Sequence, residues 1–134
     1  MSYYFAKTID LPMDDAVAAV TAGLARRGFG VLTEIDVQAT MKLKLDAIMP
    51  GYRILGACNP KLAFQALQSE DKIGTMLPCN VIVRELDEGR TEVAAVDPVA
   101  SMQAVENGDL AAIAGEVREL LRSVIDDLEP APAG

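Results

Sequence analysis

A chain of 134 residues with 51% hydrophobic content suits one domain with a core that needs neither disulfide nor metal support. Its formal charge of -8 works against phosphate backbones and anionic lipid headgroups, so neither nucleic acid nor a membrane is expected as a partner. Histidine is absent, which removes the usual general base and the commonest metal ligand, and with them Cys-His catalysis, Ser-His catalysis and the common zinc sites within one chain.

Tyr3 to Ile9 reads as a first strand, with Phe5, Lys7 and Ile9 on one face. Met13, Val17, Val20 and Leu24 then recur at helical spacing, predicting a helix that begins at Pro12-Met13-Asp14-Asp15 and stops at Gly28. Gly30 to Ile35 forms a second strand. Asp36 can cap the short helix that follows, with Val37, Met41 and Leu45 on one side and an end at the Met49-Pro50-Gly51 turn.

A third strand runs from Tyr52 to Ala57. After it, Asn59-Pro60 is a strong helix start: asparagine accepts from free amides and proline stands where no amide bond is needed. Leu62, Ala63, Ala66 and Leu67 form the side of that helix expected to be buried. Met76 to Leu86 reads as a fourth strand beginning at Pro78, with Cys79, Val81 and Val83 opposite in face to Asn80, Ile82 and Arg84. The Asp87-Glu88-Gly89-Arg90 turn returns it as Thr91 to Val96.

Asp97-Pro98 repeats the cap-plus-proline start ahead of a helical turn over Val99 to Val105, broken at Asn107-Gly108. Asp109 opens a long last helix whose apolar face holds Leu110, Ile113, Val117, Leu120, Leu121, Val124 and Leu128, with Glu116, Arg118, Glu119 and Arg122 toward solvent. Residues 130–134, Pro-Ala-Pro-Ala-Gly, are too poor in apolar side chains to pack and are expected to be disordered. The longest uncharged run, Ile73 to Val83, falls short of the roughly 18 apolar residues that span a bilayer. With no basic stretch and apolar core at the N-terminus, a cytoplasmic location is expected.

The only two cysteines, Cys58 and Cys79, each precede an asparagine. Cys58 lies next to the Asn59 cap, where helix-start amides favour a thiolate, which makes it the candidate nucleophile; a small buried packing residue is the plainer alternative. Cys79 shares a face with Val81 and Val83 and reads first as packing. A redox or two-thiol metal role for the pair lacks CxxC spacing, and no metal is assigned. Glycines at 28, 30 and 51 read as turns, since no Walker lysine or GxGxxG pattern accompanies them. Lys42, Lys44, Arg53 and Lys61 read as solvated charges before an anion-binding edge.

Three strand-to-helix junctions carry polar residues: Glu34-Ile35-Asp36, Cys58-Asn59-Pro60 and Asp97-Pro98. Meeting at one end of a sheet, they would form a polar pocket, although Asp36, Asn59 and Asp97 each have a sufficient reason as helix caps. These segments, Gly28-Phe29-Gly30-Val31-Leu32-Thr33-Glu34-Ile35-Asp36, Ile54-Leu55-Gly56-Ala57-Cys58-Asn59-Pro60, Leu77-Pro78-Cys79-Asn80-Val81 and Val96-Asp97-Pro98, resemble the domain of unknown function 302 family of prokaryotes from about Tyr4 to Leu128. The resemblance implies a small α+β domain, homodimeric as in similar members, with signature positions at Glu34, Asp36, Cys58, Asn59, Pro60, Pro78, Cys79, Asn80, Asp97 and Pro98 and no established activity.

The expected fold is therefore one α+β domain over 1–129, a mainly antiparallel sheet with helices on one face, in the order β-α-β-α-β-α-β-β-α. The expected function is a cytoplasmic, homodimeric binding or regulatory module with a small polar pocket among Glu34, Asp36, Cys58, Asn59, Cys79, Asn80 and Asp97, able to take a small-molecule ligand. A thiol-dependent enzyme, or a redox or metal-binding protein, using Cys58 and Cys79 is the alternative. No cofactor follows from the residues.

Overall fold

In the computed structural model, which describes residues 2–129, five strands pair into one antiparallel sheet ordered β1-β5-β4-β3-β2. They are β1 (Tyr4–Ile9), β2 (Gly30–Asp36), β3 (Tyr52–Cys58), β4 (Cys79–Asp87) and β5 (Arg90–Val96). The helices are α1 (Met13–Arg26), α2 (Val37–Leu45), α3 (Pro60–Ser69), α4 (Pro98–Ser101) and α5 (Gly108–Asp126), with a 3-10 turn at Ile73–Met76. This is the α+β architecture that the alternation implied. The tail expected to be disordered lies outside the described residues.

One face of the sheet supplies the core. Leu55, Val81, Val83, Val93 and Ala95 are buried there against Val20 and Leu24 of α1 and Leu121, Val124 and Ile125 of α5. On the opposite face Tyr4, Asn80 and Arg84 stand exposed, and Ile82, Ala94 and Val96 are half-buried. Period-two alternation along β4 and β5 produces this two-sidedness directly. Among the described residues no helix is long and apolar enough to cross a membrane.

Several elements differ from the sequence reading in ways that have local causes. Helix α2 ends at Leu45, short of the Met49-Pro50-Gly51 turn, because Asp46 takes a left-handed conformation with φ 54° and its amide bonds back to the Lys42 carbonyl. None of its residues is buried. The last helix begins one residue early: the Asn107 side chain accepts from the amides of Asp109 and Leu110, so the residue read as a breaker is the cap. Met76, read as the first residue of β4, instead ends the 3-10 turn, and pairing begins only at Cys79, after Pro78.

Arg118, expected on the solvent side of α5, is half-buried. Its Nε donates to Asp97 at 3.2 Å and its guanidinium lies 5.2 Å from the Phe5 ring centre. On α3, Leu62 and Ala66 are buried as expected, but Leu67 is exposed.

Candidate functional site

Both β3 and β5 run antiparallel to β4, so their C-terminal ends lie together, beside the first residue of β4. Strand direction thus brings Cys58, Asn59, Cys79 and Asp97 to one end of the sheet. Each junction there closes locally. Asn59 Oδ1 accepts from the Leu62 amide at 3.2 Å with Pro60 at the first helical position, and Asp97 Oδ1 accepts from the Val99 amide at 3.0 Å. Asp97 is buried, and its second oxygen is held by Arg118 across the α4–α5 connection.

Between these junctions and the helices lies a cavity of about 290 Å³. It separates two packing clusters: the main core, which contributes Ala57, Leu62 and Val117, and a smaller one built on Ala66, Ile73 and Leu110 with Leu77 and Met102 against it. Small side chains open the gap. Ala57, Ala63, Ala66, Gly74 and Ala114 line it where larger residues would have closed it. Cys58, Asn59 and Cys79 border the same space, so the two cysteine-asparagine segments share a cavity although 21 positions separate their cysteines in the chain.

Its electrostatics are those of an apolar site. Among the described residues no Asp, Glu, Lys or Arg side chain lines it. Both cysteines are free, Cys58 half-buried and Cys79 buried. Burial pushes the Cys79 thiol up to about 11, with a smaller contribution from the neighbouring Cys58, so Cys79 is neutral at physiological pH and lacks the thiolate on which nucleophilic chemistry depends. Asn80, the next residue, faces the other way: it is exposed on the open sheet face, opposite Gly56.

Glu34 and Asp36 belong elsewhere. Strand β2 runs antiparallel to β3, so Gly30 pairs with Cys58 while Glu34 pairs with Leu55 and Asp36 with Arg53, at the far end of the sheet. The expected junction of all three polar segments is therefore corrected to a meeting of two, since β2 ends at the opposite end of the sheet from β3 and β5. Asp36 serves as the α2 cap, accepting from the Ala39 amide at 2.9 Å. Glu34 pairs with Arg53 at 3.2 Å, and Arg53 also reaches Asp14 at 2.9 Å. Asp14, Asp36, Gln38, Arg53 and Glu85 edge a shallow polar cleft there. Among the described residues no three His, Cys, Asp or Glu side chains are grouped to hold a metal ion.

The sequence reading set Leu62, Ala63 and Ala66 and Leu110, Ile113 and Val117 on apolar helix faces but not around a cavity, because the wall is assembled from β3, α3, the 3-10 turn and α5. The available signal was small residues on apolar helix faces, Ala63 and Ala66 on α3 and Ala114 on α5, which line the same cavity.

A five-stranded antiparallel sheet with helices on one face and paired cap-proline junctions at one end defines a small α+β domain. The domain of unknown function DUF302 matches residues 5–128, and the chain belongs to that family. The crystal structure of the uncharacterized conserved protein DUF302 from Bacillus stearothermophilus has the same fold, with a TM-score of 0.86 at 23% identity over 94% of this chain and 98% of that one. No curated protein matches the sequence.

Proposed function

We propose that the protein is a cytoplasmic, homodimeric binding or regulatory module that holds a small molecule in the cavity where the two cysteine-asparagine segments converge. The observation that carries this reading is that Cys58, Asn59 and Cys79 border one apolar space together with Pro98, next to the buried Asp97. The cavity is at the lower end of the roughly 300–1,000 Å³ typical of small-molecule sites, and like them it is mainly apolar with few polar groups. Binding without chemistry suits a site whose buried thiol is held neutral.

Self-association draws support from α2 and the segment after it. Leu43 is 84% exposed and Ile48 89% exposed, and β2, which leads directly into α2, is an edge strand of the sheet. A second copy would cover them.

A thermal-shift screen with a diverse small-molecule library tests the binding reading. A ligand that raises the melting temperature of the wild type and has no effect on Ala114→Phe, which fills the cavity, is the expected result. Stabilising ligands that act equally on both proteins would place binding elsewhere. For assembly, sedimentation of Leu43→Glu combined with Ile48→Glu should show monomer where the wild type shows dimer; a wild-type monomer overturns that part.

A further inference from the structure

We infer that the cavity takes an uncharged, mainly hydrocarbon ligand carrying one hydrogen-bond acceptor at its outer end, with the Asn59 side-chain amide as the donor that meets it; this rests on reading the cavity as the ligand site. Three observations combine. Among the described residues the wall contains no charged side chain, and the Cys79 thiol inside it is neutral, so an ionised ligand group would be desolvated there with no opposite charge to receive it. The volume of about 290 Å³ holds roughly ten groups of about 30 Å³ each, the size of a medium-length alkyl chain.

Asn59 supplies the polar end. Its Oδ1 is committed to the Leu62 amide as the α3 cap, which fixes the side chain, and among the described residues Nδ2 has no hydrogen-bond acceptor. Nδ2 stands beside Gly28: a Cβ built on that residue would come within 3.2 Å of it. Gly28 also has φ +85°, a conformation that other residues adopt only with strain. Asn59 itself borders the cavity, and the positive φ of Gly28 at the end of α1 is by itself a sufficient reason for a glycine there. An oxygen of a ketone, ester or alcohol accepts from such a donor, and the chain behind it lies against Leu62, Ala66 and Met102.

Titration of the full chain with 2-undecanone, and separately with decanoate, followed by amide and methyl NMR shifts, tests the assignment. The ketone should shift Leu62, Ala66, Met102 and Ala114 saturably and bind at least about tenfold tighter than decanoate, because only the carboxylate must be desolvated. Asn59→Asp retains a good cap while removing the donor, so helix content by circular dichroism should stay unchanged and ketone affinity should fall about fivefold, the worth of one neutral hydrogen bond. Ala114→Phe should abolish binding, and Ala63→Leu is the second cavity-filling variant if the first fails to fold. Decanoate binding as tightly as the ketone overturns the uncharged class, and unchanged ketone affinity in Asn59→Asp overturns the donor. If the ketone leaves these residues unshifted while a screened compound shifts them, the ligand class falls and the site stands. Shifts confined to the open sheet face sink the site itself.

Discussion

The two ends of the sheet use the same sequence device and reach opposite results. At one end Asn59 and Asp97 cap proline-led helices around an apolar cavity, and at the other Asp36 caps a helix beside the solvated charges of Glu34, Arg53 and Asp14. A cap satisfies backbone amides wherever it stands; what surrounds it depends on which strands and helices converge there. Helices α3 and α5 close over the first end, whereas α2 beside the second buries none of its residues. Polar junction residues alone therefore do not mark a pocket.

The largest expected effect probes how tightly the cavity end is packed. A Cβ at Gly56 would strike Thr33 Oγ1 and come within 2.7 Å of the Pro78 ring. Gly56→Ala should destabilise the fold by about 3 kcal/mol in denaturant unfolding, since the hydroxyl can rotate away but the ring cannot. A loss below about 1 kcal/mol would mean that this end has slack.

Next, the caps can be set against each other. Asp97→Ala removes a buried carboxylate that caps α4 and holds Arg118, and should cost about 2 kcal/mol. Asp36→Ala removes only a cap at the solvated end and should cost about 1 kcal/mol. Equal losses in urea unfolding would erase the distinction between the two ends.

A smaller effect follows from pH. The Cys79 thiol titrates near 11 in the folded chain against 9.0 for an ordinary thiol, so its neutral form favours folding. This contribution is complete below pH 9 and is lost as pH rises through 11, because the unfolded chain deprotonates first. At pH 10 the loss is on the order of 1 kcal/mol, and Cys79→Ala should lack it when both proteins are unfolded at about pH 8 and about pH 10. Parallel pH profiles for the two proteins would show that the thiol is not desolvated.

The smallest effect belongs to the other end. Arg53→Ala should cost about 0.5 kcal/mol and the difference should shrink in high salt, because its partners Asp14 and Glu34 are exposed. A salt-independent loss of about 2 kcal/mol or more would make that end a buried network and not a solvated edge.

Residues that act within three or four positions of themselves were legible before any fold was known. Asn59, Asp36 and Asp97 cap where their spacing says they should, and Gly28 follows the end of α1 with positive φ. Asn107 is the same kind of signal read the wrong way: beside Gly108 it looked like a break, yet its side chain takes two amides of the helix it begins. Arg118 shows a different failure. Helical spacing set it on the polar side of α5, and there it is half-buried, held by Asp97, 21 positions away in the chain, with its guanidinium over the Phe5 ring.

Local pattern by itself thus determined the strands, the principal helices, the caps at Asp36, Asn59 and Asp97 and the division of the sheet into a covered and an open face, because hydrogen bonds to nearby amides and side-chain alternation act over a few residues. Tertiary structure alone decided the strand order β1-β5-β4-β3-β2, and with it which junctions meet. Strand pairing joins segments far apart in the chain, and the direction of each strand then sends its end to one edge or the other. That direction separated Glu34 from Asn59 and brought Cys58 and Cys79 to the border of one cavity.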